Sequence, residues 1–467
     1  FHMSLFPDKF SILYDKVLPY LEVGESYCLG FSGGRDSIAL LKVLCELRNI
    51  INFNLTALHV NHKLRKEEAD EDRAYCENIC KEWNVAFEFT TVDVKKFAAQ
   101  NSLSEEEAAR ERRFEWFGKI LKEKNCGKIF LAHHADDQAE TLLFRLFRGA
   151  GLRGLGGMSP VSKMMDFEII RPWLDIRQNL INEFREFRKI QCRYDSSNDS
   201  IKYKRNWIRH VLIPELQKEF YHDLENKLVQ TAEICRNSND FISLTAYEAL
   251  SSNSIESILG MIFPVRVFEN LHTAIQRALV IEMFKKQDCL INFENVEAVR
   301  NFILSERKNL NIQFPGGIFS GKSWRHFYLG CKKPELTGFN VEILECDRFV
   351  KEKCRSDNGE AWEKLALGQK AEMTQFASLD STSGITIRGW EAGDYYRPVN
   401  GPRKKIKNLF IDAGIPKELK SAIPVVEKNG EIIWVAGWRI SENFKVKPGE
   451  KVFRLDIRLN VLSDDGH

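Results

Sequence analysis

"CLGFSGGRDSIALLKVL", Cys28 to Leu44, decides the fold. The stretch is apolar through Phe31, breaks at Ser32-Gly33-Gly34, and then resumes with helical apolar spacing. A short apolar run that ends in glycine reads as a fully buried strand, and the spacing beyond it reads as an amphipathic helix. Glycines at such a junction let backbone amides approach an anion with no side chain in the way. The following helix N-terminus adds unpaired N–H groups and a positive dipole end. Ser32 and Ser37 add hydroxyl donors. A phosphate or pyrophosphate suits that set. Asp36 does not, unless a Mg²⁺ ion sits between its carboxylate and the phosphates. The plain alternative is a glycine turn with an Asp or Ser cap. The junction carries neither Gly-Lys-Ser/Thr nor G-x-G-x-x-G, so it is neither the common nucleoside-triphosphate loop nor the dinucleotide fingerprint.

The flanking sequence repeats the strand–helix rhythm. "LTALHV" (55–60), "AFEFTTVDV" (86–94) and "KIFLAHH" (128–134) read as further strands. "EEADEDRAYCENICKEW", "SEEEAARERRFEWFGKILKEK" (104–124) and "DDQAETLLFRLFRG" (136–149) read as helices, the last two with capping signals. The fold class expected is α/β, with a parallel sheet covered on both faces. Ligands of open parallel sheets gather beyond the carboxyl ends of the strands. There the chain places "SGGRDS" (32–37), "HVNHKLR" (59–65) and "AHHADDQAET" (132–141), all expected on one edge.

Near Pro214 the pattern changes. Residues 215–338 read as a mainly helical middle domain with a strand-like tail around 311–330. Residues 339–467 read as an α+β, strand-rich C-terminal domain. Three domains, 1–214, 215–338 and 339–467, agree with the length of 467 residues. A net charge of only +2 means that any nucleic-acid binding must come from local patches. No run of about 18 apolar residues occurs, so no membrane span is expected. No signal peptide is visible, and Phe1-His2 reads as an addition ahead of a native Met3. Eleven dispersed cysteines suit free thiols in a reducing, cytoplasmic setting. Cys76 and Cys80 lie one helical turn apart with no second pair to complete a metal site.

"SGGRDS" resembles the Ser-Gly-Gly-x-Asp-Ser loop of the N-type ATP pyrophosphatases, the PP-loop superfamily with an adenine nucleotide alpha-hydrolase-like fold. With "HVNHKLR", "EEEAARERRF", "AHHADDQAETLLFRLFRGAGLRGLGGM" and "DSSNDSIKYKRNWIRHVLIP", the first 215 residues or so are similar to the tRNA(Ile)-lysidine synthetases. "IRGWEAGDYYRPVNGPRKKIKNLFIDAGIP" is similar to the terminal domain of the same family. The resemblance implies a ligase that uses ATP and Mg²⁺ to adenylate O2 of the wobble cytidine of tRNA(Ile) with a CAU anticodon. Free L-lysine then attacks C2, and AMP leaves. A cytoplasmic enzyme is implied, and relatives suggest a homodimer. The runner-up is another PP-loop tRNA-modifying enzyme such as a tRNA thiolase, against which the absence of C-x-x-C pairs weighs.

Within that resemblance the residues take roles. Ser32, Gly33, Gly34, Arg35, Asp36 and Ser37 cradle the pyrophosphate, with Asp36 holding Mg²⁺. The backbone of His59 and Val60 is the adenine edge. Asp137 and Glu140 bind the lysine ammonium, and Asp137 or His133 takes its proton. Asp136 is the simplest N-cap of its helix. Arg110, Arg113 and Arg153 are tRNA contacts. Lys204, Arg205, Asn206 and Arg209, interleaved with aromatic residues in "KYKRNWIRH", suit phosphates and an extruded base. Arg403, Lys404, Lys405 and Lys407 form a C-terminal phosphate patch. Lys420, where the family more often has arginine, is discounted as a specific contact. A solvated helix face remains the plain alternative for Arg110 and Arg113, and a His/Asp metal cluster for "AHHADDQAET".

Overall fold

The computed structural model describes residues 9–61, 66–193, 204–220, 223–257, 259–289, 291–306, 311–314, 318–323, 325–330, 340–346, 359–367 and 371–459. His62 to Arg65 of the second polar segment, and Lys202 and Tyr203 of the basic–aromatic segment, lie outside them. Packing divides the chain into two compact units, Phe1–Asp240 and Phe241–His467.

The first unit runs α1 (Ser11–Asp15), β1 (Ser26–Gly30), α2 (Arg35–Arg48), β2 (Asn54–Asn61), α3 (Lys66–Glu82), β3 (Ala86–Thr91), α4 (Val94–Asn101), α5 (Glu105–Glu123), β4 (Lys128–Phe130), α6 (Ala135–Phe147), α7 (Leu152–Leu155), β5 (Val161–Met164), β6 (Phe167–Ile170), α8 (Gln178–Phe187), α9 (Lys204–Trp207) and α10 (Ile213–Glu219). A π-helical turn, Ile208–Leu212, joins the last two. The long α11 (Leu224–Asn253) follows.

The strands form one sheet in the order β3-β2-β1-β4-β6-β5, parallel except for the β5–β6 edge pair. The alternation of side chains along each strand splits the core in two. Tyr27, Leu29, Leu55 and Ala57 pack with α1, α2 and α8 on one face, beside Leu13, Leu41 and Phe184. Cys28, Leu58, Ile129 and Ile169 pack with α5 on the other, beside Phe114 and Phe117. The sheet is therefore covered on both faces, as the sequence predicts. The strands at 161–170 and helix α4 are additions to that expectation.

The chain order reverses at β1: β2 lies to one side and β4 to the other. The loops leaving β1 and β4 diverge there, which opens a crevice at the carboxyl edge. That is the reason "SGGRDS" and "AHHADDQAET" meet.

In the second unit β7 (Ile255–Ser257) and β8 (Gly260–Pro264) precede the helices α12 (Val265–Asn270), α13 (Thr273–Lys285) and α14 (Phe293–Leu304). These strands pair with β9 (Asn311–Gln313), β10 (Phe319–Ser323) and β11 (His326–Gly330) as an antiparallel sheet in the order β7-β8-β11-β10-β9. The strand-like tail near 311–330 is thus part of a larger sheet beside the helices. Beyond it come β12 (Asn340–Cys346), α15 (Glu360–Ala366), β13 (Ala371–Ser378), β14 (Ile385–Arg388), β15 (Tyr395–Tyr396), β16 (Lys404–Lys405), α16 (Ile406–Asp412), α17 (Lys417–Lys420), β17 (Val425–Lys428), β18 (Glu431–Val435) and β19 (Val452–Leu459). They make the small sheets β12-β19-β13, β14-β17-β18 and β15-β16 around Trp362, Phe410 and Trp434.

Candidate active site

The glycine junction is built as an anion cradle. Gly34 is the N-cap of α2, and no side chain caps that helix end. The amides of its first turn are therefore left for a ligand. The Ser32 and Ser37 hydroxyls lie 3.1 Å apart, and Ser37 Oγ donates to the Gly34 carbonyl at 3.0 Å. Gly33 has φ of +80°, a conformation that favours glycine. A Cβ there would lie 2.8 Å from Cys76 Sγ on α3. Cys76, read from sequence only as part of a helix face, thus backs the loop. Arg193 also supports it: its N–H reaches the Gly33 carbonyl at 3.3 Å, while its side chain pairs with Glu71 and Asp72 of α3.

Beside the loop, β2 pairs with β1 only as far as Leu58 but with β3 as far as Asn61. The β1-facing backbone at His59 and Val60 accordingly has no ladder partner from β1. The His59 ring is buried, and its Nδ1 lies 3.0 Å from the Phe31 carbonyl. Burial pushes its pKa down, so the ring is a neutral tie between two strand ends.

Across the crevice stands His134, nearly fully buried. Its ring faces three carboxylates: Asp36 at 3.6 Å, Asp136 at 3.4 Å and Asp137 at 3.4 Å. Burial alone would lower its pKa. Asp137, Asp136 and Asp36 overcome that and raise it to about 10. His134 also occupies the N-cap of α6, and its N–H donates to Asp137 Oδ2 at 3.1 Å. This corrects the expectation that Asp136 caps its own helix. The Asp136 carboxylate turns away to the N-terminus of α8, where Gln178 N–H donates to it at 2.8 Å and Arg177 Nη2 lies 3.0 Å away. Burial opposes its ionisation, but His134, the Gln178 amide and Arg177 hold its pKa well below the usual carboxylate range. The Gln178 side chain bridges Asp36 and His134 at 3.4 and 3.2 Å.

Asp137 and Glu140 share one face of α6, and both engage Arg209. Its Nη2 lies 2.8 Å from Asp137 Oδ1, and its Nε donates to Glu140 Oε1. Burial raises the Glu140 pKa, against the pull of Arg209. Burial also works against Asp137, but His134 and Arg209 hold it low.

His133 points to a second, basic region. Burial lowers its pKa to about 3; Asp137 opposes the shift, and Arg171, Arg113 and Arg205 add to it. Its Nδ1 and the Nε of Arg113 are buried with no hydrogen-bond partner among the described residues. Burial and then Arg110 and Arg205 bring Arg113 down to about 10. Arg171 likewise falls to about 10 through burial, Arg110 and Arg145. Arg205 donates to Thr141 Oγ1 at 2.8 Å and stands 3.8 Å from Glu106. Five guanidiniums gathered at one place suit an anion.

Arg145 also holds the glycine-rich loop, donating to the Gly154 and Gly157 carbonyls at 2.9 and 2.7 Å. Arg153, on α7, is exposed. Lys204 and Asn206 lie on α9 with Trp207, which is 44% exposed. In the second unit Arg403 and Lys405 stand over the Tyr395 ring at 4.9 and 5.6 Å, and Lys404 pairs with Asp412 at 3.0 Å. Lys407 lies on α16. Burial and then Lys407 lower the Lys420 pKa, so the discounted lysine faces the same patch.

Sequence reasoning left His134, Arg145, Arg171, Arg177 and Gln178 without roles. His134 was signalled by its place in "AHHADD". Gln178 and Arg177 sit 40 or so residues from their partners with no local signature.

Asp36 fits a magnesium ligand. Its contacts to Gln178 and His134 are long, 3.4 to 3.6 Å, and it lies in the first turn after the anion cradle. No group of three or more His, Cys, Asp or Glu among the described residues could hold a metal on protein ligands alone. Mg²⁺ commonly takes one or two carboxylates with substrate phosphates completing its shell.

Fold and site together define a PP-loop ATP-binding enzyme. The family model for the PP-loop domain matches residues 8–216, and that for the TilS substrate C-terminal domain matches residues 385–457. The chain belongs to the tRNA(Ile)-lysidine synthase family. It is 32% identical to the tRNA(Ile)-lysidine synthase of Clostridium tetani over 92% of this chain and 93% of that one. It is 30% identical to that of Geobacter sulfurreducens over 92% of each. Among solved structures, a U34-tRNA thiolase from Methanococcus maripaludis aligns over 49% of this chain and 80% of its own, at 16% identity and a TM-score of 0.42. No helix among the described residues is long and apolar enough to cross a membrane.

Proposed function

We propose that this ligase uses ATP to join free L-lysine to C2 of the wobble cytidine of tRNA(Ile) with a CAU anticodon. The reaction runs through an adenylated cytidine and yields lysidine, AMP and diphosphate. One observation carries the reading. Asp36, beside the anion cradle, and Asp137, on the acid face of α6, are joined through one histidine, His134, at 3.6 and 3.4 Å. This contact supports the reading of an adenylation centre beside an amine site, as two consecutive steps on one base require.

The α2 amides, Ser32 and Ser37 hold the phosphates, and the His59–Val60 backbone meets the adenine. Mg²⁺ at Asp36 would offset charge on the phosphates during attack at the α-phosphorus. Asp137 and Glu140 hold the lysine ammonium, and Asp137 accepts its proton, because His133, with its pKa lowered to about 3, is too weak a base for that step. Arg110, Arg113, Arg205 and their neighbours hold RNA phosphates, with Arg153, Lys204, Asn206 and Arg209 around the extruded base. In the three-part division, chemistry belongs to residues 1–214, and Arg403, Lys404, Lys405 and Lys407 serve the distant body of the tRNA.

The test is Asp36→Asn, assayed with α-labelled ATP, lysine and unmodified tRNA. AMP transfer should be lost while the thermal melt is unchanged. Near-normal lysidine formation would sink the assignment.

A further inference from the structure

We infer that Arg209 occupies the lysine site in the free enzyme, so that lysine enters only after RNA has drawn the guanidinium away. This rests on the reading of Asp137 and Glu140 as the ammonium site.

The two carboxylates are already satisfied. Arg209 Nη2 is 2.8 Å from Asp137, and its Nε is bonded to Glu140, which is 3% exposed. A lysine ammonium needs those same oxygens. Lysine and Arg209 therefore compete for one place.

The segment that carries Arg209 is made to respond to RNA. Arg205, one turn earlier, bonds Thr141 of α6, and Lys204 and Trp207 are exposed beside it. Arg209 itself sits in the π-helical turn Ile208–Leu212, between two α-helical pieces. Single π turns are rare and cluster at functional sites. Re-forming such a turn as α shifts the register by one residue, which swings a side chain by about 100° around the axis. The hydrophobic anchors Ile208 and Ile213 pack with Ala139 and Leu143 and hold the segment on α6. A phosphate that takes Arg209 replaces its carboxylate partners, and the ammonium replaces the guanidinium. Charge is matched at both places before and after. Lysine, which carries a carboxylate of its own, is thereby kept from the ATP site until a base is present to be activated.

The experiment is equilibrium dialysis of labelled L-lysine against the full chain, with α,β-methylene-ATP present and with or without an unmodified tRNA(Ile) transcript. Wild-type protein should bind lysine at least about tenfold more tightly with the transcript, within the usual range of coupling between sites. By reciprocity, lysine should tighten transcript binding by the same factor. Arg209→Gln should bind lysine with and without the transcript alike, a gain that a merely structural residue would not give. Arg209→Lys keeps a cation on the acid pair and should keep the dependence on RNA. It also keeps the test alive if the glutamine variant does not fold. Equal lysine affinity of wild-type protein in both conditions overturns the proposal, as does persistent RNA dependence in folded Arg209→Gln. Glu140→Gln separates the underlying reading. It should weaken lysine binding in the RNA-loaded state, and unchanged affinity there would mean that lysine sits elsewhere.

Discussion

The Asp136 carboxylate accepts the backbone N–H of Gln178 at 2.8 Å, and so caps a helix that begins 42 residues further along the chain. The same carboxylate holds Arg177 and faces His134. One side chain thus ties α6 to α8 and contacts the buried His134 ring. Asp136→Asn should remove one of the anions of Arg177, which keeps Glu225, and one of the three that face His134. Breaking a largely buried ion pair this way costs on the order of 3 kcal/mol. Urea unfolding should show that loss, together with weaker AMP transfer. A change under about 0.5 kcal/mol, the size expected of an ordinary surface site, would mean that the cap is incidental.

How far the sequence reaches is visible in this pair. The places of Asp36, His133, Asp137 and Glu140 in the fold are legible because each stands at a strand end or in the first turns of a helix, where local spacing carries information. Asp136 reads as the cap of its own helix because Asp before a helical run is the local rule. The structure instead gives the N-cap to His134 and sends Asp136 to α8. Pairings such as Asp136–Gln178 and Thr141–Arg205 depend on the β4–β6 crossover and the packing of α9 on α6, and no window of sequence contains both partners. The strands at 255–264 are similarly silent, since three- and five-residue strands are too short for periodicity to separate from loops.

Gly33 offers a second test. In sequence it reads as a glycine required by the approach of a phosphate. In the fold its missing Cβ points at Cys76 Sγ, at 2.8 Å, behind the loop. Gly33→Ala alone should displace the loop and abolish ATP binding. Adding Cys76→Ala should restore much of the ATP affinity, leaving only the positive-φ cost of about 1–2 kcal/mol in stability. If the double variant binds ATP as poorly as Gly33→Ala, the glycine is demanded from the phosphate side instead.

His133 gives a pH prediction. Burial and the arginines lower its folded pKa to about 3, from 6.5. Between those values the unfolded chain binds more protons than the folded one. Stability is therefore complete above about pH 6.5 and is lost as pH falls toward 3. The part lost by pH 5 is about 2 kcal/mol. His133→Gln does not titrate, so its urea midpoint should fall less than that of wild-type protein between pH 7 and pH 5. Parallel losses in the two proteins would show that His133 is not held neutral by its surroundings.

The last prediction divides labour between the two units. Arg403 and Lys405 stand over Tyr395, which is 46% exposed, and Lys407 lies beyond them on α16. Lys404 is partly taken by Asp412, so it should matter least of the four. Contacts of this kind go to phosphates, which fix position and carry no base sequence. Neutralising Arg403, Lys405 and Lys407 should weaken binding of full-length tRNA(Ile) and reduce the slope of affinity against salt by about 2 to 3 phosphate equivalents. ATP affinity should not change, because the phosphate loop is built from β1, α2 and α3 of the other unit. Tyr395→Ala should add to the loss if the ring also stacks on RNA. The comparison is full-length tRNA(Ile) against its anticodon stem-loop, each with both proteins. The stem-loop should be indifferent to the substitutions. An equal loss on both substrates would place the patch at the anticodon and end this division of labour.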